Sequence, residues 1–319
     1  MQQVLKEKYE YRCDGEIGKG SGKHLTILNR IVSYEQETGR VTYEADPRHA
    51  EMIIRQLNLQ NARSVTTPAE KKKSSEVLAS VGFPLVTAEQ TTLYRSLVMR
   101  AQFLAQDRAH LSEAVMKAPN ESDMQDLKRL GRYLAGRPRV VDVYHPQRPT
   151  NVIKVHADSD HAGCLLTRRS TTGYTICIGT HCVKHGSNLQ STIALSSGES
   201  EFYALTRGAA LGLSLKPLMA DWGRKYDLIV LSDSSAARGT AARRGLGKLR
   251  HVQARYLWVQ ERVANNDLTV KSVNTKQNLA DLCTKPVSRE TCEKHMRTLC
   301  QEFREGKTSG EKALEPTKV

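Results

Sequence analysis

Four acids stand where packing explains a carboxylate poorly. Asp158 ends an apolar run in Val155-His-Ala-Asp158, and Asp233 ends another in Ile229-Val-Leu-Ser-Asp233. Glu201 follows a serine-rich helix start, and Asp281 lies in Asn278-Leu-Ala-Asp281, at the start of a later helix. Taken singly, a strand-end aspartate is as readily a turn residue. Taken together, carboxylates from neighbouring strand ends and helix starts can converge on one point, where they repel unless divalent cations lie between them. Hard oxygen donors of this kind favour Mg²⁺ or Mn²⁺. Glu199 competes with Glu201 for the helical position. Ser196-Ser-Gly-Glu199 has capping-box spacing, which turns Glu199 back onto the helix start. Two residues on, Glu201 projects about 200° around the helix. Glu199 is therefore assigned to capping and Glu201 to the metal. Asp160 shares the strand face of Asp158, either behind the metal ligands or as a solvated turn acid.

The elements that must position these acids follow from periodicity and turn chemistry. Strands are expected at 152–157, 172–179, 181–184, 228–232 and 268–273, with helices from about 198, over 251–265, and over 278–302 with a break at Pro286. Three strands, then helix, strand, helix, strand, helix, imply an α/β domain over 149–302 with a mixed five-stranded sheet and flanking helices. The preceding part, 1–148, reads as a smaller, mainly helical unit. It has a hairpin at 25–35 and 40–44 around Gln36-Glu-Thr-Gly39, and a helix started by Asp46-Pro47. A polar linker follows near 61–80, then helices near 87–106, 109–117 and 121–135. Residues 303–319, polar and rich in Lys, Glu, Ser and Gly, read as a disordered tail.

Composition narrows the partner. The 319 residues carry 48 Lys and Arg against 34 Asp and Glu, a formal charge of +14. That excess calls for an anionic partner, nucleic acid before an acidic membrane. No apolar run approaches the ~18 residues of a bilayer span, and the start lacks a signal-peptide core, so an intracellular location is expected, cytoplasmic or nuclear. Seven scattered cysteines without a Cys-x-x-Cys pair argue for reduced thiols. Cys182-Val-Lys-His185 and Cys292-Glu-Lys-His295 have zinc-like spacing, but no second pair completes four ligands. The glycines between 18 and 22 lack P-loop spacing, and Ser196-Ser197 has no aligned His–Asp pair.

The motifs then line up with a known family. Asp158-Ser-Asp-His-Ala-Gly, Thr167-Arg-Arg-Ser-Thr-Thr-Gly-Tyr174 and Gln190-Ser-Thr-Ile-Ala-Leu-Ser-Ser-Gly-Glu-Ser-Glu201-Phe-Tyr-Ala204 resemble the ribonuclease H domain of copia-type LTR retrotransposon polyproteins. Asp233-Ser-Ser-Ala-Ala, Arg250-His-Val-Gln-Ala-Arg-Tyr256 and Asn278-Leu-Ala-Asp281-Leu-Cys-Thr-Lys-Pro286 continue the likeness in order, over about 150 to 290. Glu44-Ala-Asp-Pro-Arg-His-Ala-Glu51, Tyr94-Arg-Ser-Leu-Val98 and Leu127-Lys-Arg-Leu-Gly-Arg-Tyr-Leu134 resemble the end of the reverse transcriptase that precedes that domain. The chain departs from the family at His161, where tryptophan is common. It also has Pro217 within the expected long helix, where an internal proline costs ~3 kcal/mol or forces a kink.

The resemblance implies a divalent-metal-dependent endonuclease that hydrolyses the RNA strand of RNA–DNA hybrids within a polyprotein. Asp158, Glu201, Asp233 and Asp281 would be its catalytic, metal-binding four. Asp158 would bridge two Mg²⁺ ions, for which Mn²⁺ can substitute, with Glu201 and Asp233 on one and Asp281 on the other. No polymerase activity is expected, since the Tyr-x-Asp-Asp signature is absent. Substrate would lie on the acid-free stretch holding Arg238, Arg243, Arg244, Lys248, Arg250 and Arg255, with Arg168 and Arg169 on the other strand and Gln190 and Asn278 as polar contacts. The other partner would be the rest of the polyprotein. The alternative is a catalytically silent fragment that only binds nucleic acid through its basic face.

Overall fold

The computed structural model describes residues 10, 13, 15–20, 22, 24–80, 83–84, 86–111, 119–164, 166–247 and 251–305. The N-terminal part begins with β1 (His24–Ile27), β2 (Arg30–Tyr34) and β3 (Val41–Ala45). The segment expected as one strand, 25–35, is thus two. Leu28 and Asn29 both take positive φ, at 48° and 58°, and form the two-residue turn between β1 and β2. Helix α1 (Arg48–Gln56) starts behind Asp46, whose Oδ1 accepts the Arg48 amide at 3.0 Å. Helices α2 (Ser74–Ser80), α3 (Ala88–Ala105) and α4 (Glu121–Gly136) follow. Reciprocal capping boxes, Thr87 with Gln90 and Asn120 with Asp123, fix the starts of α3 and α4. Of the helix expected over 109–117, a 3₁₀ turn (Ala109–Leu111) is described, and 112–117 lie outside the described residues.

Strand β4 (Arg139–Tyr144) leads into the C-terminal part: β5 (Val152–Asp160), β6 (Thr171–Ile178), β7 (His181–Leu189), α5 (Ser197–Asp221), β8 (Asp227–Ser232), α6 (Ser235–Ala242), α7 (Trp258–Ala264), β9 (Thr269–Ser272), α8 (Arg289–Thr298) and β10 (Gln301–Arg304). The strands form two sheets. One has the order β1-β2-β3-β4-β10, antiparallel throughout; the other has the order β7-β6-β5-β8-β9. In the second, β7, β6 and β5 pair antiparallel, while β5, β8 and β9 pair parallel. This is the mixed α/β sheet expected of a ribonuclease H-like domain. The N-terminal part carries a sheet as well as helices, because β4 and β10 complete what the early hairpin begins.

Helix α5 packs on β5, β6 and β8 through Phe202, Leu205 and Ala209 against Ile153, Val155, Ile176 and Leu228. Gly212 lets the helix lie close: a Cβ there would meet Leu228 Cδ1 at 2.6 Å. Pro217 sits in the last third of α5, which runs on to Asp221. The helix expected over 278–302 is two helical pieces followed by the first residues of β10. A 3₁₀ turn (Leu279–Cys283) precedes Pro286, α8 restarts behind the Ser288 cap, and Cys300 at φ 57° ends it. Pro286 accounts for the first break, since it disfavours helical backbone at the residue before it. The expected tail is also corrected at its start. Phe303 and Arg304 belong to β10, and Phe303 packs against both the N-terminal helical core and the cluster of Val140, Leu282, Met296 and Leu299. Residues 306–319 lie outside the described residues.

Candidate active site

Parallel pairing of β5 with β8 brings their C-terminal ends to one edge of the sheet. Asp158 lies near the end of β5, 2% exposed, and Asp233 follows the last residue of β8. The start of α5 faces the same edge. Ser196 Oγ accepts the Glu199 amide at 3.2 Å, and Glu201 comes two residues later. Asp158, Glu201 and Asp233 each offer an oxygen, and the three oxygens lie within 4.8 Å of one another.

Asp281 reaches this edge from the Leu279–Cys283 turn, which two residues hold against the sheet. Asn278 Nδ2 donates to the Ala157 carbonyl at 3.1 Å, while its Oδ1 accepts the Ala280 amide at 3.3 Å. Gly173, the register partner of Asp158 on β6, leaves room for the turn. A Cβ there would lie 2.8 Å from the Ala280 carbonyl oxygen and 2.5 Å from Thr284 Cγ2. The same approach lets the Thr284 hydroxyl donate to Asp158 Oδ2. Lys285 closes the corner, with Nζ 2.9 Å from Asp281 Oδ1 and 3.6 Å from Asp158 Oδ2.

The charge balance across the site is uneven. Burial, then the Asp158 and Asp233 carboxylates, push the Glu201 carboxyl up to about 9, against the Ser159 amide and Lys285. Glu201 Oε2 is buried without a hydrogen-bond partner. Asp281 is pushed up only to about 6, by burial and Asp158, because Lys285 opposes the shift. Burial pulls the Lys285 ammonium down, but Asp158, Asp281 and Asp233 outweigh it and raise its pKa. A divalent cation fits the trio: three hard oxygens converge, one is unpartnered, and the proton that Glu201 retains is what a nearby cation would replace.

Glu199 lies outside the trio. Its carboxylate accepts the Leu195 amide at 2.9 Å, His251 Nε2 at 2.7 Å and the Tyr203 hydroxyl. Burial works against these bonds, yet together they hold the carboxyl below its usual range. Asp160 also stays apart, accepting the Thr171 amide, and burial pushes it up to about 6.

The expected substrate contacts divide. Arg168, Arg169, Arg244 and Arg255 are exposed, and Arg255 bonds Ser191 Oγ at 3.1 Å while its guanidinium lies over the Tyr256 ring. Arg238 and Arg243 are half-buried and donate to the Ser232 and Leu246 carbonyls at 2.7 and 2.8 Å. Lys248 and Arg250 lie outside the described residues. Two expectations are corrected. Asn278 is fully buried in the bonds just described, and buried Gln190 donates through Nε2 to Thr172 Oγ1 and the Ser200 carbonyl at 3.0 and 2.9 Å. Both amides satisfy groups beneath the site, where water cannot reach them. Sequence reasoning assigned no role to Thr284 or Lys285. The four-residue spacing of Asp281 and Lys285, favourable for an ion pair, was the available signal for the lysine.

No family model matches the chain. It is 26% identical over 300 residues to the retrovirus-related Pol polyprotein from transposon TNT 1-94 of Nicotiana tabacum, covering 89% of this chain and 22% of that one. It is 32% identical over 169 residues to an uncharacterised mitochondrial protein of Arabidopsis thaliana, covering 51% of this chain and 68% of that one. Among solved structures, an RNase H1 isolated from compost matches 46% of this chain and 99% of its own at 15% identity, with a TM-score of 0.31. The chain spans about a fifth of the length of the transposon polyproteins it matches. With the motifs in order and relatives along nearly its whole length, the homologues of the chain are retrovirus-related Pol polyproteins of plant transposons, consistent with a copia-type polyprotein.

Proposed function

We propose that this chain is the ribonuclease H part of a copia-type transposon polyprotein and hydrolyses the RNA strand of RNA–DNA hybrids with divalent metal. Residues 149–302 would carry the activity, and 1–148 would be the end of the reverse transcriptase. The observation that carries the reading is the convergence of Asp158, Glu201 and Asp233 within 4.8 Å. Bound Mg²⁺, or Mn²⁺ in its place, would supply activation of water and stabilisation of the leaving 3′-oxygen.

The chain's own residues prepare that chemistry. Asp158 is central, with Thr284 donating to one oxygen and so fixing the orientation of the carboxylate. Glu201 and Asp233 supply the other oxygens of the trio, and Asp281 stands across Lys285 from Asp158. Asn278 and Gly173 hold the turn bearing Asp281 against the strand. The exposed Arg168, Arg169, Arg244 and Arg255 would track phosphates, and 2′-hydroxyl contacts and groove shape would select RNA opposite DNA.

The test is cleavage of a hybrid labelled on the RNA strand. The reading expects shortened RNA with Mg²⁺, none with chelator, and none from Asp158→Asn, which still folds and binds hybrid. Intact RNA after incubation with folded protein, or undiminished cleavage by Asp158→Asn, overturns it. Salt-sensitive hybrid binding without turnover would instead favour a binding-only fragment.

A further inference from the structure

We propose that Lys285 is a resident counter-ion of this site. Its ammonium holds the place between Asp158 and Asp281 that a second divalent cation would need. Without substrate, the site then takes one divalent cation, at Asp158, Glu201 and Asp233. The inference rests on the functional reading above, since it concerns how that site fills.

The geometry separates the two positions. Lys285 Nζ lies 2.9 Å from Asp281 Oδ1 and 3.6 Å from Asp158 Oδ2, so it is shared between the two carboxylates. Asp158 Oδ2 is engaged a second time, by the Thr284 hydroxyl. An ion between Asp158 and Asp281 would meet a permanent positive charge at contact distance and compete for an oxygen with two partners already. At the trio the ammonium reaches Asp158 only, at 3.6 Å; Glu201 and Asp233 make no ion pair among the described residues, and Glu201 Oε2 is buried with no hydrogen-bond partner. Lys285 follows Asp281 by four residues, and its amide donates to the Asp281 carbonyl at 3.3 Å, a spacing that suits an ion pair between the two side chains.

The ammonium is placed to leave. Its side chain is 43% exposed, whereas Asp158 and Asp281 show 3% and 10% of theirs. A flexible four-carbon stem lets it exchange a carboxylate for a phosphate arriving on the hybrid without moving the backbone. Release of Lys285 by substrate would then open the second position, so full loading of the site would depend on substrate.

The experiment is a Mn²⁺ titration of the full, chelator-stripped chain without nucleic acid, following the free-ion electron paramagnetic signal. Wild type should bind one Mn²⁺ in the range where Lys285→Met binds two, with the second ion tightened by about tenfold or more. Lys285→Arg, which keeps the charge, should remain at one. That arm separates a charge effect from disturbed packing. Two ions of equal affinity on wild type, or a second-ion affinity unchanged in Lys285→Met, overturn the counter-ion assignment and leave the nuclease reading standing. Failure of wild type and both variants to bind any Mn²⁺ overturns both.

Discussion

In the N-terminal sheet, Glu44 is 4% exposed and meets Arg139 in a two-pronged contact, Nε to Oε1 at 2.7 Å and Nη2 to Oε2 at 2.9 Å. Arg30 grips Asp107 at 3.2 Å to each oxygen, and Arg48 folds onto Asp46. At the edge of the C-terminal sheet, Asp158, Glu201 and Asp233 are gathered with no arginine in an ion pair to any of them among the described residues. A forked guanidinium is a permanent counter-charge that fixes a carboxylate in place. Three carboxylates left without one store repulsion that an exchangeable cation relieves. The same residue type is structural in one region and functional in the other, and the difference is what neutralises it.

The largest effect should come from breaking the first kind. Arg139→Met leaves Glu44 buried without its guanidinium, a loss of roughly 3–5 kcal/mol in unfolding free energy. Urea denaturation of the metal-free chain checks this. A loss under about 1 kcal/mol, the ordinary worth of an exposed pair, would mean the N-terminal carboxylates are not held as described.

Removing one member of the trio should act in the opposite direction. Glu201 is raised to about 9 from an ordinary carboxyl value, so the folded protein keeps a proton that the unfolded chain has lost. The stability from this group is therefore present below about pH 4.5 and is lost as pH rises through about 9. Asp142, pushed up to about 7 mainly by burial, adds a loss of the same sign over a lower range. Glu201→Gln removes the first component alone. In chelator the variant should melt higher than wild type at pH 8, each kcal/mol appearing as about 2–4 °C, and saturating Mg²⁺ should shrink the gap. Equal slopes of melting temperature against pH in the two proteins would end the picture of a cluster whose charge Lys285 only partly offsets.

The comparison also shows what the residues alone could convey. The acids at the ends of β5 and β8 were readable because a carboxylate interrupts an apolar run, and Glu201 because Glu199 had the capping spacing. The mixed sheet followed from the order of strands and helices. Strands β4 and β10 were not readable, since their pairing joins Gln301–Arg304 to Arg139–Tyr144 across most of the C-terminal domain. No local pattern encodes a partner that distant. Asn278 and Gln190 were misread for a related reason. A polar side chain in a motif looks like a ligand contact until the structure shows the buried carbonyl it serves. Apart from its four-residue spacing from Asp281, Lys285 carries no local pattern that separates it from a solvated turn lysine.

A smaller effect should follow from loosening the Asp281 corner while leaving the trio intact. Gly173→Ala places a methyl group 2.8 Å from the Ala280 carbonyl oxygen, a contact with backbone that cannot rotate away. The Leu279–Cys283 turn must shift, at a cost of about 1–3 kcal/mol. Cleavage should fall by more than first-ion Mn²⁺ affinity does, because the displaced segment reaches the trio only through the Thr284 bond to Asp158. First-ion binding weakened as much as cleavage in this variant would show that the two parts of the site are not separable.

The smallest effect belongs to a third kind of charge, exposed and paired with neither a buried carboxylate nor the trio. Arg255 bonds the Ser191 and Thr192 hydroxyls and lies over Tyr256, on the surface beside the start of α5. Arg255→Ala should change unfolding free energy by no more than about 0.5 kcal/mol. If its guanidinium meets a phosphate, hybrid binding should weaken alike for all sequences, and the slope of log affinity against log salt should fall by about 1. The chemical step on bound hybrid should be unchanged, because the residue is remote from the carboxylates in function. An unaltered salt slope would remove Arg255 from the phosphate track. A fall in single-turnover cleavage at saturating protein would instead place its role at the site, through the Tyr256–Tyr203–Glu199 contacts that reach the start of the helix bearing Glu201.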